Sequence, residues 1–451
     1  MSHQLRRLAF VFAAAFLLVA AAAGYWGYVQ HESLLSRADN PRRLLAERRA
    51  PRGTIYDRNG AVLAESAGTP GEFTRHYPYA DLAPVLGYVS PFYGTAGIEA
   101  AADVTLHGDA ASLETPSAVG GDTLRRFWQE TVLGMPPQGR AVRLSNDLTL
   151  QAAADKVLGD RVGAVVLLDA ATGEVLALAS HPTYDPNTLE AQWETLVNDP
   201  QAPLLNRATF NLYQPGGALQ PVILAAALRA GLAKLDVPFP SATAEVRLGD
   251  QTLTCLPSPP IGTLTLAGAF QAGCPRPVAD LGAQLGAPAL DELFAGFRLF
   301  DAPALPIPTT ASPRSALVSD AALAAIGQGD LTITPLHVAL VTAAIARRGE
   351  MPAPQLLMAA QDSVGDWRSV APVSHPIAAI APEYAEQVKA LMPEGHPAVA
   401  LTNAAGKKLA WFSGFAPLAD SRYTVAVLLE DGDVEAAAKI GRALLKTAAK
   451  P

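Results

Sequence analysis

A serine and a lysine three residues apart on a helix share one face, where the lysine can take the serine's proton. No serine among these 451 residues has a lysine at that spacing. The eight histidines, His181, His337 and His396 among them, show no His-Glu-x-x-His or similar ligand spacing, so the sequence predicts neither a metal centre nor a cofactor. Asp169, Glu174 and Asp185 fall at turns between apolar runs, where acidic side chains shape turns and solvated edges. Cys255 and Cys274 are the only cysteines, and they are either one disulfide or two buried thiols. One further stretch stands out: Tyr213-Gln214-Pro215-Gly216-Gly217-Ala218-Leu219-Gln220-Pro221, followed by the apolar run Val222 to Leu232. It reads as a tight loop feeding a buried helix, with Pro221 in the first turn, where its missing N–H is harmless.

The elements that would position these residues need a large core, and a chain with 50% hydrophobic residues is long enough for two or three domains. A net charge of -8 and the lack of any long basic run argue against nucleic-acid binding. Arg42-Arg43 and Arg48-Arg49 read as a solvated juxtamembrane face. From Leu8 to Val29 the chain is apolar, ends in the aromatic group Tyr25, Trp26 and Tyr28, and is preceded by Arg6 and Arg7. At 1.5 Å per residue, the ~20 residues needed to cross a ~30 Å hydrocarbon layer are present. The flanking positive charge predicts a single-pass protein of the cytoplasmic membrane, with residues 31–451 on the extracytoplasmic side. A cleaved signal peptide, with Ala21-Ala22-Ala23 at its cleavage site, is the alternative.

Beyond it, Ser33 to Arg49 reads as an amphipathic stalk, and Arg52 to Ala64 as strand, turn, strand with Asp57 to Gly60 at the turn. Ala110 to Arg140 reads as a linker. Ala141 to Ser145 alternates as a strand, Leu148 to Leu158 has helical spacing, and Gly163 to Leu168 is a strand buried on both faces. A strand from Tyr423 to Glu430 and a helix from Val434 to Ala448 close the chain.

The wording of several of these segments resembles class B penicillin-binding proteins. It is carried by Arg52-Gly53-Thr54-Ile55-Tyr56-Asp57-Arg58-Asn59-Gly60, by His181-Pro182-Thr183-Tyr184-Asp185-Pro186-Asn187, by Gly327-Gln328-Gly329 with Thr334-Pro335-Leu336, and by Ala410-Trp411-Phe412-Ser413-Gly414-Phe415-Ala416-Pro417. The resemblance covers most of residues 50 to 451. It implies an α/β (α+β) fold: a penicillin-binding-protein/β-lactamase-like transpeptidase domain, an antiparallel sheet flanked by helices, on a short β-rich pedestal behind one N-terminal transmembrane helix. The implied divisions are 1–30 for the cytoplasmic tip and anchor, 31–140 for stalk, pedestal and linker, and 141–451 for the transpeptidase-like domain.

The family opens its central helix with Pro-Gly-Ser-x-x-Lys-Pro. Here the serine and lysine positions are Gly217 and Gln220, and neither a bare backbone nor a neutral amide can attack or take a proton. The Ser-x-Asn motif falls on Gly273-Cys274-Pro275, and the Lys-Thr-Gly motif near Lys407, where Lys408 and Leu409 follow; Ala398 to Asn403 reads as the strand here and Ala404 to Lys408 as its shortened turn. A disulfide between Cys255 and Cys274 would close a loop around the second motif. The resemblance thus implies a peptidoglycan D,D-transpeptidase fold with no catalytic residues. The expected role is that of a scaffold or regulator in peptidoglycan synthesis, with peptidoglycan or other cell-wall synthesis and division proteins as partners. An active D,D-transpeptidase with an unrecognised nucleophile, or a non-catalytic sensor of peptidoglycan or β-lactam, are the alternatives.

Overall fold

The computed structural model describes residues 2–26, 50–69, 72–108, 138–256, 262–314, 318–402 and 407–450. The expected stalk and most of the expected linker lie outside the described residues. Helix α1 spans Ser2–Gly24. Its apolar side chains stand in solvent, Phe10 and Phe16 each 76% exposed. Among the described residues no helix is long and apolar enough to cross a membrane. The described part of the expected span from Leu8 to Val29, helical through Gly24, does not reach that length by itself. Positions 27–29 lie outside the described residues.

The chain then builds a mixed six-stranded sheet. Strands β1 (Ile55–Tyr56) and β2 (Val62–Ala67) are joined by a turn in which Asp57 Oδ1 accepts from the amides of Asn59 and Ala61 at 2.8 and 2.7 Å. Strand β3 (Thr74–His76) pairs with β2, while β4 (Val142–Leu144) runs parallel to β1. Two more strands complete this sheet from the far end of the chain. Under it lies a buried ion cluster: Glu99, fully buried, accepts from Arg52 Nε at 3.0 Å and Arg75 Nε at 2.6 Å.

A second sheet forms the centre of the larger domain. Helix α2 (Leu148–Leu158), capped by the Asp147 side chain, leads into β5 (Gly163–Asp169) and β6 (Val175–His181). Helices α3 (Gln220–Arg229), α4 (Pro275–Leu285) and α5 (Pro335–Ala346) follow. Strands β7 (Leu357–Gln361) and β8 (Trp367–Ser369) then return to the first sheet, giving the order β8-β7-β4-β1-β2-β3. After helix α6 (Pro382–Ala390), strands β9 (His396–Leu401), β10 (Lys408–Ala416) and β11 (Tyr423–Leu429) complete the second sheet, order β9-β10-β11-β5-β6, all antiparallel. Helix α7 (Val434–Ala448) closes the chain.

The run Ala164-Val165-Val166-Leu167-Leu168 has no polar face because both sides of β5 are covered. Val165 and Leu167 pack with α2 and α7, and Ala164, Val166 and Leu168 pack into the larger core around α3 and α5. Helix α7 comes so close to β10 that a Cβ on Gly441 would meet Phe412 Cδ1 at 2.1 Å. The larger domain is tied to the pedestal by Asn187, whose side chain exchanges hydrogen bonds with the backbone N and O of Tyr77 at 2.9 and 3.0 Å.

Candidate functional site, a filled cleft

Gly216 to Leu219 form a 3-10 turn that runs into α3. The turn is pinned from two sides. Gly216, at φ +52°, donates to the Gly327 carbonyl at 2.9 Å, and a Cβ on it would lie 2.1 Å from Val399 O on β9. Only glycine fits there, for both space and backbone conformation. Trp411 Nε1 donates to Gln214 O at 3.0 Å, and Tyr213 exchanges backbone bonds with Ile333 at 2.9 Å.

Gly217 is buried at the head of this turn. A Cβ there would stand 3.0 Å from the Cβ of Ala398 and 3.3 Å from Gln220 Nε2, so the side chain three residues on folds back over the position it would have served. Gln220 is 4% exposed, and its Oε1 has no hydrogen-bond partner among the described residues. His396, also buried, places Nε2 3.0 Å from the Gly217 carbonyl oxygen and stacks on Phe270 at 4.8 Å. Burial pushes its pKa down to about 4, the Gly217 bond opposing, so near neutral pH the ring is uncharged and donates from Nε2.

On the opposite side, Gly273 sits at φ +59° and Pro275 begins α4. Between them Cys274 is bonded to Cys255. The bond holds Leu256 over the turn, its N–H donating to Ala272 O at 2.9 Å and its Cδ1 3.0 Å from where a Cβ on Gly273 would be. What remains between these walls is a cavity of about 20 Å³, lined by Gly217, Gln220, Leu253, Thr254, Leu256, Gly273, Pro275, Ile326, Pro397, Ala398 and Val399. That is room for about one water molecule.

Gly217, Gln220, Gly273 and Pro275 therefore come together around one cavity, and Lys407 does not join them. The strand expected over Ala398 to Asn403 corresponds to β9, which begins two residues earlier. The strand beside Gly217 is β9, and Lys407 sits exposed at the far end of the β9–β10 hairpin, where its carbonyl accepts from Thr402 N at 3.1 Å. The wall residues are His396, Pro397 and Ala398. His396 was missed because the lysine pair 407–408 drew the motif eleven residues further on, past β9 to the start of β10. The alternation of buried positions in His396-Pro397-Ala398-Val399-Ala400 was the available signal. Among the described residues no group of acidic, histidine or cysteine side chains is placed to hold a metal ion.

Residues 163–396 match the penicillin-binding protein transpeptidase domain, and residues 52–124 match the penicillin-binding protein A dimerisation domain. The chain is 32% identical to the peptidoglycan D,D-transpeptidase PbpA of Mycolicibacterium smegmatis and 30% to that of Mycobacterium tuberculosis, over 99% of each chain. Among solved structures it resembles penicillin-binding protein A of M. tuberculosis in its imipenem acyl-enzyme complex, with TM-score 0.78 and 30% identity over 90% of this chain and 100% of that one. It also resembles the D,D-transpeptidase domain of a peptidoglycan glycosyltransferase from Eggerthella lenta, with TM-score 0.75 and 29% identity over 89% and 98%. With two sheets in this order, a turn pinned between Gly327 and β9, and a match over nearly the whole chain, the protein belongs to the class B penicillin-binding proteins.

Proposed function

We propose that this chain serves peptidoglycan synthesis as a non-catalytic member of its family, a scaffold or regulator that carries the transpeptidase fold without forming an acyl-enzyme. The observation that supports this reading is the pair Gly217 and Gln220 at the head of α3, closed over by Ala398, Leu253 and Leu256. Acyl transfer needs a nucleophile, a base within hydrogen-bond reach, and donors aimed at the developing oxyanion in an open cleft. A glycine, a neutral amide and a cavity of about 20 Å³ supply none of these. The apolar N-terminal segment, residues 8–29, would hold the chain at the membrane with the larger domain outside, in keeping with Arg6 and Arg7 on its inner flank.

The test is labelling of the full chain with a fluorescent penicillin beside a catalytically active family member. The active protein should label to stoichiometry and this chain should stay at background. A covalent adduct mapped to any residue here would overturn the proposal and identify a displaced nucleophile.

A further inference from the structure

Where the pedestal meets the larger domain, His181 ends β6 with both ring nitrogens facing oxygen. Nδ1 lies 2.8 Å from the Gly159 carbonyl and Nε2 lies 3.1 Å from Asp155 Oδ1. A carbonyl only accepts, so Nδ1 carries a hydrogen; Nε2, facing a carboxylate, needs another. The other oxygen of Asp155 accepts from the Tyr79 hydroxyl at 2.9 Å and from Gln151 Nε2 at 3.1 Å. Gln151 is fixed in turn by the backbone of Leu178. Tyr79 belongs to the pedestal, Asp155 to α2 and His181 to β6, so one buried carboxylate joins three elements across the junction. The remaining charges around the cluster are Asp81, beside Tyr79, and Asp185, which acts on Asp81. His181 is the counter-charge of Asp155 and Asp81.

We propose that doubly protonated His181 is a latch holding the Tyr79–Leu82 segment of the pedestal against the larger domain, and that this junction loosens as the solution turns alkaline. Burial pulls the imidazole pKa down, but the hydrogen bonds to Asp155 and Gly159 and the charges of Asp155 and Asp81 outweigh it and raise the pKa above its ordinary value. A histidine raised in the fold contributes stability fully below its unfolded value of about 6.5 and loses it as pH rises through the folded value. Once deprotonated, the ring keeps its Nδ1 hydrogen for Gly159 and turns a lone pair toward Asp155 Oδ1. Asp81, whose pKa is raised by burial and by Asp155 against the opposing pull of His181, places a further acidic group beside the same cluster.

The experiment is histidine-resolved NMR of the full chain from pH 5.5 to about pH 9, with amide-exchange protection of Tyr79–Leu82 corrected for intrinsic exchange. The expected result is a His181 midpoint above about 6.5 and a loss of protection of about tenfold or more across that midpoint. Asp155→Asn should lower the midpoint, and His181→Gln should make the protection independent of pH over the same range. Should either variant fail to fold, the wild-type titration still decides. A His181 midpoint at or below the ordinary value, or wild-type protection unchanged across the midpoint, overturns the latch.

Discussion

The imidazole of His396 is hydrogen-bonded to the backbone of Gly217, Nε2 to O at 3.0 Å, so the cleft wall is tied to the turn that leads into α3. His337, on α5, is buried in the same way, with Nε2 3.1 Å from Asp301 O, and burial pushes its pKa to about 4 as well. Both are depressed in the fold, so as pH falls below about 6.5 the unfolded chain takes up protons that the native state refuses. Stability should therefore be full above that value and fall between it and about pH 4. The loss is at most about 3 kcal/mol per histidine. Thermal unfolding in that range should show a shallower decline for His396→Gln than for wild type, and equal slopes would contradict the assignment.

Restoring the nucleophile and base should not restore acylation. In Gly217→Ser/Gln220→Lys the new Cβ would crowd Ala398 at 3.0 Å, an overpacking cost of about 1–3 kcal/mol. The serine would still face Gly273 and Pro275 in place of the Ser-x-Asn side chains. Fluorescent penicillin on a gel should give near-background labelling of this double variant, and stoichiometric labelling would show the cleft to be intact.

Cutting the bond between Cys255 and Cys274, which lie 19 residues apart, should lower stability by roughly 3 kcal/mol on a chain-entropy estimate. Loss of the tether that holds Leu256 over Gly273 should show locally as faster amide exchange at Leu253 and Leu256. Unfolding of Cys255→Ala/Cys274→Ala beside wild type, with and without reductant, measures the first effect. Reductant should leave the double variant unmoved.

In the pedestal, Glu99→Gln should be the most damaging single isosteric change. Its carboxylate is the shared partner of Arg52 and Arg75, whose side chains are 4% and 5% exposed. Removing one partner of a buried ion cluster costs on the order of 3–5 kcal/mol. Denaturant unfolding should place this variant well below Glu99→Asp, and a change within about 0.5 kcal/mol would mean that the arginines find other partners.

Most of the fold was readable because periodicity and capping agree with the tertiary context. The helices Leu148–Leu158 and Val434–Ala448 form with the bounds their spacing predicts, each closed by an aspartate N-cap. The apolar run of β5 is buried on both faces, as its lack of alternation implied. In the site, Gly217, Gln220, Gly273 and Pro275 could be placed in one cleft because each sits beside an element with a strong local signature. Lys407 drew the third motif because a lysine pair resembles it in composition, whereas the strand beside Gly217 is set by its pairing with β10. The loop closed by Cys255 and Cys274 was legible, but that Leu256 beside it packs over Gly273 was not, because side-chain placement across a loop has no local pattern.

The order β8-β7-β4-β1-β2-β3 has a consequence for how the chain is made. A ribosome delivers β1 through β4 early, but β7 and β8, which cover the free side of β4, emerge more than two hundred residues later. Until then the backbone amides and carbonyls of Val142–Leu144 stand open on one side, an edge that invites pairing with another chain. The nascent protein is thus most prone to association while its larger domain is being synthesised, and a chain interrupted before Leu357 would keep that adhesive edge for good.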